Sequence, residues 1–335
     1  MQKFTLDKLP KNILAKIDVQ TAFMASRCVI AAEQLKLFRK LEGKELTAAA
    51  IGRLTGIKGW RQRPFLAALM ALGLLKKRGE LYRNSALAKK YFIKERSKYW
   101  TEIYSGECIE EYQAFSVLDE MLTSGRGYES ISGIKRKNYL DLMQENRAWA
   151  KGFTNMLYHL HQTVAKALAE NVNLRKYNKV LDVGGGSGVM SMALVKRFPH
   201  LIAAVLDLEN VCRAARELIK EQGLSKKIKT LTGDMNKDLP DGYDIIMLCD
   251  TDNPDLDSLT RIYNKLPDGG LLILVDYFAS EDLTAPFLRL MWQLRSNRFW
   301  LMTRKEAKQI VKMAGFRNIR MKNIFDESWM IIGQK

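Results

Sequence analysis

Short apolar runs alternate with amphipathic stretches in the second half of the chain, a pattern typical of a parallel sheet covered by helices. The runs with strand character are residues 179–183, 201–206, 227–231, 243–249 and 271–277. Between the last two runs, residues 258–266 place apolar side chains at helical spacing. The alternation predicts an α/β fold with a doubly wound sheet.

A glycine-rich turn follows the first apolar run. Asp182 interrupts the run, and after Gly184-Gly185-Gly186-Ser187-Gly188 a helix is predicted to begin at Val189. Glycines let the backbone approach a ligand, and a new helix offers unpaired N–H groups, so the turn indicates nucleotide binding. The dinucleotide pattern would need glycine at position 189, and a P-loop would need Gly-Lys-Ser/Thr; neither is present.

Two further carboxylates lie where a doubly wound sheet would use them. Asp207 ends the second run about twenty residues past the glycine turn, where a carboxylate can accept the hydroxyls of a ribose. The third run is followed by Gly233-Asp234-Met235. Taken singly, either aspartate could instead be a helix cap or a turn residue.

The N-terminal third predicts a mainly α unit of winged-helix type. Helices are expected at Thr21–Leu41, from Thr47 as N-cap to Leu54, and at Trp60–Leu72, where Gly73 ends the third helix. Residues 74–77 and 81–83 then form a hairpin. Such a unit can place its third helix in the DNA major groove, and Arg61 and Arg63 would lie at that position.

The motif Asp182-x-Gly184-x-Gly186-x-Gly188, with Asp207 and Asp234-Met235, resembles that of the class I S-adenosylmethionine (SAM) methyltransferases. The whole chain resembles the plant and bacterial small-molecule O-methyltransferases, through Phe153, Met156 and His159 and through Thr303, Glu306 and 314–316 as well. The resemblance implies a seven-stranded Rossmann-like SAM domain at 173–335. It also implies a winged-helix-like dimerisation domain at 1–100 and a helical connector lining the acceptor cleft at 101–172.

The resemblance also implies the ligands. The cofactor is SAM, with S-adenosylhomocysteine (SAH) as product, and in this family the aspartate of the Asp-Met pair binds the adenine amino group while the methionine packs on the ring. The cofactor-binding residues are then expected to be Asp182, Gly184, Gly186, Gly188, Asp207, Leu208, Asp234, Met235 and Cys249. The expected acceptor pocket contains aromatic and methionine side chains that suit a flat substrate, although each could be a core residue: Met156, Tyr158, Met291, Trp292, Phe299 and Trp300.

One departure concerns the catalytic base. The family carries a histidine in the loop after its fourth strand, whereas this chain reads Cys249-Asp250-Thr251-Asp252 there. The candidates are His159, His161 and Asp252, with Asp250 a further weak substitute, because a carboxyl of pKa about 3.9 matches a phenol poorly unless burial raises it. The histidines could also be packing residues. A carboxylate or an acidic carbon as acceptor would need no base.

Charge is concentrated in the N-terminal third. Residues 1–100 hold 22 of the 54 Lys and Arg residues but only 7 of the 37 Asp and Glu residues. This field would attract an acidic partner, or it could simply keep the protein in solution. We expect a homodimer and a small-molecule acceptor, and an acidic carrier protein that presents the acceptor would account for the basic charge. Nucleic-acid binding by the winged helix, and a SAM-binding protein without methyl transfer, are the competing functions.

Composition adds little to these expectations. No apolar run reaches the length of a membrane span, and the chain begins without a signal-peptide pattern, so we expect a cytoplasmic protein. The four cysteines form no C-x-x-C pair, and with three histidines they predict no metal site.

Overall fold

Residues 6–94, 98–134, 139–237, 239–251, 254–295 and 301–335 are the part of the chain that the computed structural model describes. They separate into two units, Met1–Gln113 and Ala114–Lys335. None of the described helices is long and apolar enough to cross a membrane.

The first unit is mainly helical and carries a small three-stranded sheet. Its elements are α1 (Lys11–Leu14), α2 (Ala22–Gln34), α3 (Leu37–Lys40), β1 (Leu46–Thr47), α4 (Ala48–Thr55), α5 (Gln62–Ala71), β2 (Leu75–Arg78), β3 (Leu81–Asn84), α6 (Ala86–Lys89) and α7 (Lys98–Phe115), which continues into the second unit. Short 3-10 turns lie at Leu6–Lys8 and Gly59–Arg61, and a π turn lies at Lys90–Lys94.

Capping and turn residues set the order of these elements. The Thr47 hydroxyl accepts the Ala50 N–H at 3.2 Å and so caps α4, as predicted. Gly73 follows α5 with a φ of +74°, and the hairpin of β2 and β3 begins directly after it. Strand β1 pairs with β3, which gives the sheet order β1-β3-β2. The predicted order of helix, turn, helix and hairpin is confirmed.

The single helix predicted over Thr21–Leu41 is wrong. The chain leaves the helical conformation at Lys36, which takes a left-handed φ of +54°, and separates α2 from α3. The break turns both Leu37 and Phe38 into the core of the unit. Phe38 then stacks on Phe92, and its carbonyl accepts the Asn84 side-chain N–H. Burial of two adjacent large side chains outweighs the continuity of the helix.

The second unit begins with helices and continues as an alternation of strands and helices. The helices before the sheet are α8 (Leu118–Ser124), α9 (Tyr128–Ser132), α10 (Tyr139–Glu145), α11 (Arg147–Leu160) and α12 (Gln162–Asn171). The alternation then comprises β4 (Lys179–Val183), α13 (Val189–Arg197), β5 (Ile202–Asp207), α14 (Glu209–Glu221), β6 (Ile228–Thr232), β7 (Ile245–Cys249), α15 (Leu256–Lys265), β8 (Leu271–Tyr277), α16 (Phe287–Arg295), α17 (Arg304–Met313), β9 (Arg317–Phe325) and β10 (Ser328–Gln334).

The described strands of this unit form one seven-stranded sheet of order β6-β5-β4-β7-β8-β10-β9. Strands β4 to β8 are parallel, and β10 runs antiparallel to both β8 and β9. From β4 the chain proceeds to β5 and β6 on one side and to β7 and β8 on the other. The strand order therefore reverses between β4 and β7, which is the position where open α/β sheets bind ligands, at the carboxyl ends of the strands.

Both faces of the sheet are buried, which explains the continuous apolar runs in the sequence. Along β7, Ile245 and Met247 face a layer that includes α12, α13 and α14, whereas Ile246 and Leu248 face a layer that includes α15 and α17. Successive side chains of a strand point to opposite faces, so a strand covered on both sides has no polar positions to spare. The predicted doubly wound, seven-stranded fold is confirmed.

Candidate functional site

The glycine turn after β4 has the backbone conformation that its sequence requires. Gly184, Gly186 and Gly188 have φ values of +64°, +55° and +73°, which residues with a Cβ adopt rarely. The Gly184 N–H donates to the Leu206 carbonyl on β5, and the Gly188 N–H closes the turn on the Gly185 carbonyl. The turn therefore lies at the carboxyl edge of the sheet and leads directly into α13.

Gly185 belongs to the same turn for a different reason. A Cβ at this position would lie 2.5 Å from the carboxyl carbon of Asp182, which is fully buried beneath the turn. This role of Gly185 was not predicted from the sequence. Its signal is the run of three consecutive glycines, of which the motif Asp-x-Gly-x-Gly-x-Gly uses only Gly184 and Gly186.

The Asp182 carboxyl is held on one side only. Its Oδ2 accepts the Ser191 hydroxyl of α13 at 2.7 Å, while its Oδ1 is buried without a hydrogen-bond partner among the described residues. Burial raises the pKa of Asp182 to about 7, and the nearby Asp207 carboxylate adds to the rise. A buried acceptor with a free oxygen is suited to a positively charged or hydrogen-donating group in the cleft.

Asp207 ties the neighbouring strand to the glycine turn. Its carboxylate accepts the Gly186 N–H at 2.8 Å and the Leu208 N–H at 2.7 Å. Burial raises the pKa of this group. Each carboxylate oxygen keeps a further lone pair, so the group can still accept two hydroxyls of a ribose.

The end of β6 reaches the same edge. The Gly233 N–H donates to the Asp207 carbonyl, and Asp234 accepts the Asn236 N–H in a tight turn. A Cβ at Gly184 would lie 3.3 Å from the sulfur of Met235 and 3.2 Å from the Thr251 methyl group. The structure therefore brings the predicted Asp-Met pair beside the glycine turn, together with the first residues after β7.

A cavity of about 210 Å³ opens beside Met235. Its lining comes from the ends of β4 and β7, the segment after β6 and the start of α15, and includes Leu248, Thr251, Asp255 and Arg261. A second cavity, of about 380 Å³, lies at the opposite edge of the sheet, where Lys179 and Asp244 precede β4 and β7. Only the first cavity adjoins the glycine turn.

Leu208 is covered by the helices that precede the sheet. It packs against a small apolar cluster that contains Met143 and Val211, and Trp149 and Phe153 of α11 pack against the same cluster. The Asn210 side chain fastens this contact by donating to the Met143 and Gln144 carbonyls. Helices α10 and α11 thus close the site on the β5 side.

The first residues after β7 carry an ion pair that the sequence did not reveal. Asp250 follows Cys249 directly, and its Oδ1 lies 2.5 Å from Nη2 of Arg289 on α16. Its Oδ2 lies 3.3 Å from Nε2 of His161, between α11 and α12. Burial alone would raise the pKa of Asp250, but the His161 hydrogen bond and the Arg289 charge outweigh it and bring the pKa to about 2.

These contacts bear differently on the sequence candidates for a base. They disfavour Asp250 as a substitute base, because a carboxyl whose pKa is lowered to about 2 takes up a proton very poorly near neutrality. His161 is almost fully buried at the Asp250 carboxylate, whereas His159 is exposed and contacts Tyr158 edge-on. Asp252 lies outside the described residues.

The predicted acceptor residues fall into two groups. Met156 of α11 is buried, and Tyr158 packs partly against the sheet core. On α16, Trp292 is 44% exposed and Met291 is half-buried. Phe299 and Trp300 lie outside the described residues.

The residues at this edge fit SAM. Asp182 offers a buried, unpartnered carboxylate oxygen for a cationic ligand, Asp207 offers the ribose acceptor, and Asp234 with Met235 offers a polar and an apolar contact for adenine. Cys249 is enclosed at the same edge, where burial and the Asp182 carboxylate raise the pKa of its thiol well above the usual range. The arrangement is that of a SAM-binding α/β protein.

Comparison with known proteins agrees. The O-methyltransferase domain family matches residues 115–317, and the chain belongs to this family. It is 27% identical over 277 residues to 3-hydroxy-5-methyl-1-naphthoate 3-O-methyltransferase of Streptomyces sahachiroi, covering 80% of this chain and 78% of that protein. It is also 27% identical over 337 residues to the N,N-dimethyltransferase OxyT of Streptomyces rimosus, covering 95% of each.

The fold is shared with solved structures along almost the whole chain. PigF with SAH, from a Serratia species, superimposes with a TM-score of 0.82 at 23% identity, covering 98% of this chain and 100% of that one. The protein is therefore a SAM-dependent methyltransferase, and the expected cofactor is confirmed.

We predict that Asp207→Ala weakens SAM binding by roughly 10- to 150-fold, because losing a charge-assisted pair costs about 1.5 to 3 kcal/mol. Isothermal titration calorimetry measures the change. Asp268→Ala, at an exposed turn before β8, is the matched control and should leave the affinity unchanged. A change of less than about twofold in Asp207→Ala would contradict the ribose assignment.

We also predict that SAM binds more tightly as the pH rises through about 7. The raised pKa of Asp182 keeps its carboxyl largely protonated below that pH, and the cationic ligand favours the ionised form, so binding releases a proton. Between pH 6 and 8 the affinity should rise by about tenfold more for SAM than for SAH, which lacks the sulfonium charge. Asp182→Asn should remove this difference, and an unchanged difference would refute the assignment.

Proposed function

We propose that this methyltransferase acts on a hydroxyl group of a flat aromatic small molecule, with SAM as the methyl donor. The observation that carries the proposal is an aromatic surface at the same sheet edge as the glycine turn. The Arg289 guanidinium lies 4.3 Å from the ring centre of Tyr277 and 4.9 Å from that of Trp292, directly beside Asp250. The methyl group of Thr251, the next residue, would lie 3.2 Å from a Cβ at Gly184 of the glycine turn.

The chemistry supplied by bound SAM is a sulfonium methyl group: the acceptor oxygen forms the new O–C bond, the C–S bond breaks with its electron pair going to sulfur, and SAH remains. The chain contributes position and electrostatics. Asp182, Asp207 and Asp250 provide negative charge along the edge where a cationic donor binds. Displacement of this kind needs the acceptor oxygen in line with the breaking bond, so a rigid aromatic wall aids the reaction by orienting the acceptor.

The naphthoate relative supports a flat acceptor, and the two relatives differ in the atom that they methylate. The naphthoate enzyme is a 3-O-methyltransferase, and OxyT is an N,N-dimethyltransferase. We place the reaction at oxygen because the family is that of O-methyltransferases. Methylation of an acidic carbon is the alternative outcome of the assay below.

The acceptor pocket is tested by changing its exposed aromatic residue. Trp292→Ala should raise the KM for an aromatic acceptor by about tenfold or more while SAM affinity changes less than twofold, because only the acceptor loses a stacking surface. Transfer of labelled methyl from SAM to a panel of phenols, with product analysis, gives both the KM and the methylated atom. Trp60→Ala, exposed in the first unit, is the matched control. Equal effects of the two changes would refute the pocket.

A carrier-bound acceptor is the second form of this function. Lys76, Lys77, Arg78 and Arg83 are exposed or half-exposed on the hairpin, although Glu45 pairs with both arginines and Glu80 pairs with Lys77. The remaining positive charge would favour an acidic carrier protein. Methyl transfer to a carrier-bound and to a free acceptor over a range of salt concentrations distinguishes the two forms, because docking of an acidic carrier makes only the first rate depend on salt.

Dimerisation through the first unit is part of the proposal. Val19 is 95% exposed, Met24 is 56% exposed and Phe23 is 47% exposed, so adjacent apolar side chains at the start of α2 lie in water in a single copy. We predict a mass near twice 38.4 kDa by light scattering at micromolar concentration. Met24→Asp should shift the mass towards the monomer, and Met313→Asp, at an equally exposed methionine on α17, should not. A wild-type mass of one chain would contradict the dimer.

A further inference from the structure

The histidine that the family's loop lacks here has a spatial counterpart. His161 lies 89 residues before Asp250 in the chain, yet its ring reaches the carboxylate of Asp250, the first residue after β7. It joins α11 to α12, and only 9% of its surface is exposed. Nε2 contacts the Asp250 carboxylate, and Nδ1 has no hydrogen-bond partner among the described residues.

Asp250 is fixed from three directions. Its backbone takes a left-handed φ of +53°, and its N–H donates to the Val275 carbonyl at 2.9 Å. Its second oxygen holds Arg289, whose guanidinium lies against the rings of Tyr277 and Trp292. Although burial opposes it, the Asp250 and Asp276 carboxylates raise the pKa of Arg289, so this group stays charged. A non-glycine residue in a strained conformation, over-determined by its neighbours, is typical of functional positions.

The cluster lies beside the glycine turn, at the carboxyl edge of the sheet. Thr251 directly follows Asp250, and its methyl group would lie 3.2 Å from a Cβ at Gly184. Cys249 directly precedes Asp250, and the Asp182 carboxylate raises the pKa of its thiol. His161 therefore lies at the same edge through its contact with Asp250. A base for the acceptor must lie at this edge.

We propose that His161 is the catalytic base of this enzyme and that Asp250 and Arg289 are its positioning residues. In this arrangement Nε2–H donates to Asp250, which leaves the lone pair of Nδ1 for the acceptor. As the oxygen attacks the methyl group, its proton passes to Nδ1, and the Asp250 carboxylate stabilises the imidazolium until the proton leaves to solvent. Arg289 holds the second oxygen of Asp250 and so fixes the direction of the first. The inference rests on the proposed hydroxyl acceptor.

The competing interpretation is a purely structural ion cluster. A structural cluster would affect all acceptors alike, whereas a base matters only for an acceptor that must lose a proton. The difference can be measured with two phenols of the same ring system, one of ordinary pKa near 10 and one that a nitro group renders mostly ionised at the assay pH.

In the kinetic experiment, His161→Ala should lower kcat by about 10²- to 10⁴-fold on the ordinary phenol, and by less than about fivefold on the ionised phenol. His161→Gln can still form a hydrogen bond with Asp250 and should show the same difference in kcat between the two phenols. This second variant keeps the test valid if the alanine variant fails to fold. His200→Ala, at an exposed histidine, should behave as wild type. SAM affinity and the thermal midpoint confirm folding in each variant. An equal loss on both phenols would overturn the proposal.

The positioning roles are tested without acceptor or SAM. The chain has only three histidines, so their ring nitrogens can be assigned by long-range ¹H–¹⁵N NMR. Neutral His161 should carry its proton on Nε2, and Asp250→Asn should shift it towards Nδ1. Arg289→Gln should alter this signal more than Arg289→Lys, which keeps the charge. A proton on Nδ1 in the wild type, or no response to Asp250→Asn, would overturn the assignment.

The two experiments fail independently. If the wild type methylates no hydroxyl of the phenol panel but methylates a carbon, the proposed function is wrong and His161 as a base for a hydroxyl is wrong with it. If hydroxyls are methylated and the tautomer is the expected one, but His161→Ala lowers kcat equally on both phenols, only the base assignment is wrong.

Discussion

The buried contact between the Asp182 carboxyl and the glycine turn is the constraint on which the site depends. The carboxyl fills the space under Gly185 so closely that no side chain fits there, and its hydrogen bond to Ser191 fastens the first turn of α13 to β4. A group buried at this cost needs compensation, and Ser191 satisfies only one of its oxygens. The glycine turn is therefore held directly over the Asp182 carboxyl, and the second oxygen of that carboxyl stays available to a ligand. Both features follow from the packing of Gly185 on Asp182 and from the hydrogen bond that Ser191 donates.

Asp207 spreads this constraint to the neighbouring strands. Its carboxylate accepts an N–H from the glycine turn and one from the start of α14, and its carbonyl accepts the N–H of Gly233 beyond β6. One residue thus joins three of the segments that end at the carboxyl edge. Each of the two carboxylate oxygens accepts one of these backbone N–H groups, so each keeps a further lone pair. The same aspartate can therefore organise the site and still accept the hydroxyls of a ribose.

The fold and this part of the site could be predicted because their signals are local. Two-sided burial gives continuous apolar runs, and the glycines, Asp207 and Asp234 each follow a strand that the runs already identify. The break at Lys36 and the cluster around Asp250 could not be predicted in this way. The break depends on the burial of Leu37 and Phe38 against distant helices. His161, Asp250 and Arg289 come from separate elements far apart in the chain, so without an alignment nothing in their spacing connects them. The low pKa of Asp250 could not be predicted for the same reason, because the His161 hydrogen bond and the Arg289 charge together set it.

Charge connects the two parts of the site. The chain as a whole carries a formal charge of +17, yet the edge that faces the donor is lined by Asp182, Asp207 and Asp250. Burial raises the pKa of Asp182 and Asp207, which means that it disfavours their ionised forms. A cationic donor offsets that cost when it binds, and the offset is lost when the methyl group and its positive charge leave the sulfur. Asp250 differs because Arg289 already compensates it, so its carboxylate stays ionised throughout and can stabilise positive charge on the His161 ring while the other carboxylates respond to the donor.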